Sequence, residues 1–146
     1  MTQEAAAKKD TQRLQRAIVD GLEDVKAQDI TVFNTEHLSP LFEHPDQYIL
    51  LHDNEGAASI FDWSAPGVWQ GHSMFLPRRR GKEGIQSAKD MIGWMFDHGA
   101  QIIWGMTPTS EDYRRVHMFN RLIGFKARGL RTDAAGREVR LFKMER

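Results

Sequence analysis

The stretch from residue 68 to residue 96 constrains the fold most, because a strand pattern, a basic turn and a helix pattern follow one another. The segment Val68–Leu76 is rich in apolar and aromatic residues and holds one glycine, Gly71, which predicts a strand. Apolar side chains then recur every three or four positions, which predicts an amphipathic helix with one buried face. These helical positions are Ile85, Ala88, Ile92, Met95 and Phe96.

The turn between strand and helix carries four cations and two glycines within the seven residues 78–84. Backbone N–H groups at the start of a helix lack internal partners and carry partial positive charge, so such a turn suits a phosphate group. Glycines let the backbone approach an anion closely, and flanking Arg or Lys side chains can bind it. The stretch matches neither G-x-x-x-x-G-K-[ST] nor G-x-G-x-x-G, which excludes the two familiar phosphate loops.

The segment Arg80–Ala88, R-G-K-E-G-I-Q-S-A, resembles the pyrophosphate-binding turn of the GNAT-superfamily N-acetyltransferases. That turn has the form [RQ]-x-x-G-x-[GA] and lies between a strand and a helix. The match treats Glu83 as one extra residue, and Gln86 stands where the family prefers Gly or Ala. Downstream, residues 102–107 resemble the next strand of that fold, and Leu122–Phe125 resembles the L-G-F end of its next helix.

The resemblance extends from Tyr48 to Met144 and implies one GNAT-like α/β (α+β) domain over residues 1–146. It implies a mixed, mostly antiparallel sheet flanked by helices and splayed at two central parallel strands, here Val68–Leu76 and Gln101–Thr107. Ligands favour a crevice of that kind. The residue patterns agree, since they predict three meander strands before the basic turn and a final hairpin near the C-terminus.

The resemblance also implies acetyl-CoA as co-substrate and transfer of its acetyl group to an amine, on a small molecule or a protein. The backbone of Phe75 and Leu76 would pair with the pantetheine arm and hold the thioester carbonyl. The turn would hold the pyrophosphate through Arg79, Arg80, Gly81, Lys82, Glu83, Gly84, Ile85 and Gln86.

Two histidines are the candidates for proton transfer in that reaction. His72 shares its strand face with Met74, and an unperturbed imidazole accepts a proton near neutral pH, although a structural histidine fits the sequence equally well. Many family members place a tyrosine, which acts as the proton donor, three residues before the L-G-F triplet. That position is Asn120 here. His117, one helical turn earlier, or Tyr113 is predicted to substitute, unless solvent protonates the thiolate or the domain no longer catalyses.

Three other interpretations stay open. The basic cluster also fits a solvated surface turn, or a nucleic-acid patch made of Arg78, Arg79, Arg80 and Lys82. The sequence G-H-S-M-F-L-P-R-R-R-G, with R-L-I-G-F-K downstream, is also similar to GNAT-like proteins encoded by tailed bacteriophages. That similarity implies an alternative function, a catalytically inactive virion or interaction protein.

The composition limits the partners and the location. Lys plus Arg and Asp plus Glu each number 20, and this zero net charge argues against general binding to nucleic acid or membrane, but not against a local basic patch. There is no cysteine, and the histidines form no metal-binding motif. No apolar run approaches the ~18 residues of a membrane span, and residues 1–13 lack a signal-peptide core, so a cytoplasmic protein is expected, or a virion protein if phage-encoded.

A long helix is predicted over residues 3–28. Its apolar stripe consists of Leu14, Ile18, Leu22 and Val25. The turns before Leu14 have little to bury, so they are expected to project or to meet a partner, in a homo-oligomer or a virion. GNAT domains usually begin with a strand and paired helices, and this segment departs from that pattern.

Overall fold

The computed structural model describes residues 46–53, 55–75 and 79–146, which form one sheet with two helices. The strands are β1 (Tyr48–His52), β2 (Ala57–Ala65), β3 (Val68–Phe75), β4 (Ile102–Pro108), β5 (Lys126–Thr132) and β6 (Glu138–Glu145). Helix α1 (Lys82–Asp97) joins β3 to β4, and a 3₁₀ turn (Glu111–Tyr113) leads into helix α2 (Arg114–Leu122). None of the described helices is long and apolar enough to cross a membrane.

The six strands lie in the order β1–β2–β3–β4–β6–β5. Neighbours are antiparallel except β3 and β4, which are parallel at the centre of the sheet. Short turns join the antiparallel partners that are consecutive in sequence, whereas α1 supplies the crossover that a parallel pair requires. The predicted mixed, mostly antiparallel sheet with two central parallel strands is therefore confirmed.

The helix after the basic turn begins earlier than its apolar stripe suggested. The stripe starts at Ile85, but α1 begins at Lys82 because its first turn is polar and gives no periodic signal. Glu83 in that turn suits the positive end of the helix dipole. The helix ends as predicted near Gly99, whose φ of 107° lets the chain leave in the left-handed region. The helix predicted over residues 3–28 lies outside the described residues.

The core consists of buried side chains of α1 and of both faces of the sheet. The buried positions of α1 include Ala88, Met91, Ile92 and Met95, which recur at helical spacing, as the sequence predicts. The sheet contributes fully buried side chains from both sides of the parallel pair. They include Leu51, Met74, Ile103 and Phe142. This core fixes the positions of the two central strands and of the helix start that follows β3.

Truncation of Ile103 tests the importance of that core. Its side chain has no solvent exposure, so Ile103→Ala should lower the free energy of unfolding by about 2–5 kcal/mol, through lost burial and a cavity. Leu122 is 57% exposed, and Leu122→Ala should change the same quantity by less than about 0.5 kcal/mol. Urea unfolding measures both variants, and equal losses would contradict the assignment of the core.

Candidate functional site

The pairing between β3 and β4 stops before either strand ends. Their parallel pairing comprises three register pairs, Val68 with Ile102, Trp69 with Ile103 and Gln70 with Trp104. Beyond these pairs β3 continues beside β2 alone, and β4 continues beside β6 alone. The facing edges of Gly71–Phe75 and Gly105–Pro108 therefore have no strand partner in the described part of the chain, and they bound a cleft.

Two glycines mark the point at which the strands part. A Cβ atom on Gly105 would lie 3.4 Å from the carbonyl oxygen of Gly71, so the two backbones are still close there. A Cβ atom on Gly71 would lie 3.4 Å from Cγ2 of Ile103. A methyl group at either position would therefore already be in van der Waals contact with the neighbouring strand.

Helix α2 contacts both sides of the cleft. The ring of Phe119 packs edge-on against the ring of Phe75, with 5.0 Å between their centroids. Asn120, which stands at the family's tyrosine position, donates from Nδ2 to Oγ1 of Thr107 over 3.0 Å. The amide of Asn120 thus ties α2 to the end of β4.

His117 makes a second tie between α2 and β4. Its Nε2 lies 2.8 Å from the carbonyl oxygen of Pro108, and because a carbonyl only accepts, Nε2 carries the proton. Its Nδ1 is buried without a hydrogen-bond partner among the described residues, and the ring lies 5.4 Å from that of Phe142. The one proton of the neutral ring is engaged by the protein, and the acid role of His117 stays a prediction.

His72 is paired with a carboxylate on the neighbouring strand. Its Nε2 lies 3.0 Å from Oδ2 of Asp62, and the two side chains are 25% and 33% exposed. An ionised carboxylate only accepts, so Nε2 carries the proton in this contact. Sequence reasoning missed Asp62, although strand parity places it on the same sheet face as His72 and diagonal to it across the β2–β3 pair.

The start of α1 lies just beyond the end of β3. Gly81 is its N-cap, with a φ of 137° and no capping side chain among the described residues. The N–H of Ile85 donates to the carbonyl oxygen of Gly81, which is the first backbone bond of the helix. The amides of Lys82, Glu83 and Gly84 therefore have no helical acceptor, which is the condition for binding an anion.

Gly84 lies in the tightest contact of the turn. A Cβ atom on this residue would lie 1.8 Å from the carbonyl oxygen of Arg79, a distance that no side chain can occupy. The constraint is the close approach of two backbone segments, because the φ of Gly84 is not among the positive values. This glycine lets the loop fold back onto the first turn of α1.

Arg79 braces the turn from inside the protein. Its Nε and Nη2 donate to Oδ2 of Asp53 over 3.1 and 2.8 Å, Nη2 also donates to Ser87 Oγ over 2.9 Å, and Nη1 donates to Glu83 over 2.8 Å. The hydroxyl of Ser87 donates to the same Asp53 oxygen over 2.6 Å. This Arg79 network joins the turn after β1 to the first two turns of α1.

Asp53 is charged in this network. Burial alone would raise its pKa, but donors from the Ser87 hydroxyl, the amides of Ala57 and Glu55, and Arg79 together hold the pKa below its usual range. The hydrogen bond to Asp53 in turn raises the pKa of Arg79. Sequence reasoning missed Asp53 because it lies 26 residues before Arg79 in what looks like an ordinary turn.

The other predicted coenzyme ligands occupy different surroundings. Arg80 is exposed, and its Nε donates to the carbonyl oxygen of Phe75 over 3.2 Å. Lys82 is exposed and forms no ion pair with another described residue. Gln86 donates to Asp90, one helical turn further on. Leu76 and Arg78 lie outside the described residues.

The fold is similar to that of several solved acetyltransferases. An acetyltransferase of the GNAT family from Desulfovibrio desulfuricans aligns with a TM-score of 0.65 at 14% identity, covering 80% of this chain and 83% of the other. A Salmonella typhimurium acetyltransferase solved with acetyl-CoA gives 0.60 at 12%, covering 79% and 75%. A Bacillus subtilis acetyltransferase in complex with CoA gives 0.61 at 12%, covering 82% and 90%. The chain therefore has the GNAT fold, as its sequence motifs predicted.

Sequence comparisons give no match at the level of families or individual proteins. No family model matches the chain, and no curated protein sequence matches it either.

The close approach at Gly84 leads to a matched pair of variants. Gly84→Ala should disrupt the start of α1 and lower the melting temperature, because its methyl group would overlap the carbonyl oxygen of Arg79. Gly93 lies in the middle of α1 with open space at its Cβ position, so Gly93→Ala should raise the free energy of unfolding by about 0.5–1 kcal/mol. Thermal and urea unfolding measure both, and a stable Gly84→Ala protein would contradict the geometry.

The Arg79 network should make the free energy of unfolding depend on pH in the acidic range. The pKa of Asp53 is lower in the folded state than its unfolded value of about 3.9, so its contribution is complete above about pH 5 and is lost as the pH falls through the folded pKa. Asp53→Asn should lower the free energy of unfolding at pH 7 and flatten its decline below pH 5. Urea titrations of both proteins from about pH 7 to about pH 3 measure this, and parallel pH profiles would refute it.

Proposed function

We propose that this protein binds acetyl-CoA in the cleft between β3 and β4 and transfers the acetyl group to an amine. The observation that carries the proposal is the position of the uncapped start of α1, which follows β3 in the chain. Beyond Gln70, the edge of β3 that faces β4 is open. One feature offers a phosphate amides that have no acceptor within the helix, and the other offers an extended chain a strand edge that has no partner strand in the described part of the chain. Coenzyme A contains both groups, and the solved relatives bound to acetyl-CoA and CoA share this fold.

In this proposal the first turn of α1 holds the pyrophosphate. The amides of Lys82, Glu83 and Gly84 supply neutral donors, and the side chains of Lys82 and Arg80 supply charge. Glu83 would repel a phosphate, but its carboxylate is paired with Arg79 over 2.8 Å. Arg79 then acts by positioning the turn, since the protein already engages both ends of its guanidinium.

The pantetheine arm would add a short strand between β3 and β4. The open edge of Gly71–Phe75 offers it main-chain donors and acceptors, and the thioester would lie along this edge within reach of His72. Phe119 packs edge-on against the ring of Phe75 at the far end of the edge, and the two rings would limit the access of water there. A dry site strengthens every hydrogen bond to the thioester carbonyl.

The chemical step needs a neutral amine. Its nitrogen attacks the thioester carbonyl carbon, the new C–N bond replaces the C–S bond, and coenzyme A leaves as a thiolate. His72 takes the proton that the amine loses, while Asp62 holds the ring through Nε2. Asn120 has no acidic proton, so the thiolate takes its proton from His117, if the hydrogen bond of His117 to Pro108 opens, or from solvent.

The same two residues favour a second candidate function. The amide of Asn120 is bonded to Thr107, and the ring of His117 is bonded to Pro108. At the positions where a catalytic acid is expected, helix α2 thus carries side chains whose hydrogen bonds are structural. The chain would then be a GNAT-like interaction protein without turnover, in a virion if it is phage-encoded. This candidate retains the fold and the cleft but releases no free thiol from acetyl-CoA.

Binding of acetyl-CoA tests the first proposal. At about 100 times the dissociation constant, acetyl-CoA should stabilise the protein by about 2.7 kcal/mol and raise its melting temperature. Lys82→Glu and Arg80→Glu should abolish the shift, whereas Lys89→Glu, an exposed reversal further along α1, should keep it. An unchanged melting temperature at millimolar acetyl-CoA would refute the coenzyme site.

A variant of His72 separates the two candidate functions. His72→Asn should reduce kcat by about 100-fold or more while leaving the acetyl-CoA dissociation constant unchanged, because a base acts in the chemical step alone. Thiol release from acetyl-CoA in the presence of a panel of amines, as a function of pH, measures the rate. Coenzyme binding by the wild-type protein without any thiol release would favour the interaction protein, and full activity of His72→Asn would refute the base.

A further inference from the structure

Helix α2 exposes an apolar pair on the side that faces away from the cleft. No residue of α2 is fully buried, and Met118 and Leu122 are 56% and 57% exposed, the highest values among the large apolar side chains described. They stand four residues apart and therefore share one face of the helix. Water contact with two large apolar side chains is unfavourable, so this face is suited to a partner.

Arginines surround that pair. At 100° per residue, Arg114, Arg115 and Arg121 fall on the same side of α2 as Met118 and Leu122, within a sector of about 120°. All three are exposed, and none forms an ion pair with another described residue. The outer face of α2 is thus an apolar centre with a cationic rim.

Strand β5 carries a further exposed apolar side chain on the side of the sheet where α2 packs. Leu130 is 45% exposed and pairs with Arg140, two residues from Phe142 on β6. Residues two apart on a strand share a face, so Leu130 lies on the side of the sheet where His117 of α2 contacts Phe142. Every residue of β5 is exposed, and β5 is the last strand of the sheet.

The charge of this end of the chain is strongly positive. Residues 113–146 contain ten Lys and Arg against three Asp and Glu, although the whole chain has no formal net charge. Of the ten, Arg137 and Lys143 have an acidic partner among the described residues. Although the chain as a whole has no formal net charge, this end is cationic and therefore suits a negatively charged partner.

We propose that the outer face of α2, together with Leu130, docks an acidic amphipathic segment of a partner protein. Apolar anchors of that segment would cover Met118 and Leu122, and its carboxylates would pair with the arginines of the rim. The planar guanidinium group matches a carboxylate with two parallel hydrogen bonds. Protein interfaces usually have a buried apolar centre surrounded by a polar rim. A nucleic acid would use the charges but gain nothing from the apolar pair.

The opposite side of α2 makes this surface independent of coenzyme binding. His117, Phe119 and Asn120 point inward and hold α2 on the sheet, while the docking residues point outward. Substitutions on the outer face therefore leave the cleft and its ties intact.

A labelled synthetic peptide tests the proposal. The probe is a helical peptide of about 18 residues with Leu at every third or fourth position and Glu elsewhere, and its binding to the full chain is followed by fluorescence anisotropy. A second peptide has the same composition in an order without helical periodicity and should bind about tenfold more weakly or worse. Binding of the first peptide should also weaken between about 50 mM and about 300 mM salt.

Variants of the chain identify the surface. Leu122→Asp and Met118→Asp should each weaken binding of the periodic peptide by about tenfold or more, and Arg121→Glu should do the same, whereas Lys89→Glu on α1 should not. Unchanged melting temperatures establish that the variants are folded, as expected for exposed positions.

Four results would overturn the proposal. Equal binding of both peptides, or binding that Leu122→Asp does not weaken, would leave only nonspecific electrostatic attraction. Retention of oligouridylate RNA in place of the peptide, unaffected by Leu122→Asp, would assign the surface to nucleic acid. A concentration-dependent dimer that Leu122→Asp dissociates, without peptide binding, would assign it to a second copy of this chain.

Discussion

The ion pair between Arg79 and Asp53 holds together the part of the molecule on which the site depends. It joins two segments that are 26 residues apart, and Ser87 and Glu83 complete the bonding of the guanidinium. With both side chains only 15–16% exposed, neither charge is well solvated, so each depends on the other. The turn that follows β3, the start of α1 and the turn after β1 therefore keep one arrangement.

The strands and the parallel centre of the sheet could be predicted because their signals are local. Val68–Phe75 has apolar or aromatic residues at both ends, Ile102–Pro108 is largely apolar, and a helical stripe between them implies a crossover. The first turn of α1 could not be predicted from periodicity, since Lys82, Glu83 and Gly84 are polar or lack a side chain. Capping of that turn by Gly81 depends on backbone conformation, which a sequence pattern does not encode.

The residues of the candidate site could be predicted only in part, for a related reason. The basic turn and His72 stand out in the sequence because their residue types are informative by themselves. The partners of Arg79 and His72 come from other strands and turns, and their roles arise only when the sheet brings Asp53 and Asp62 beside them. Sequence motifs name the groups that could do chemistry, but they do not show which groups the protein has already engaged.

The short seam between β3 and β4 has a mechanical consequence. Three register pairs are all that joins β1–β3 to β4–β6 within the sheet, whereas every other seam runs through at least five. Within the sheet, bending between the two halves would disturb these three pairs and no other ladder, so α2, which contacts both β3 and β4, has to hold the halves together. A guest chain lying in the gap would act as a removable seventh strand and add a ladder on each side for as long as it stays.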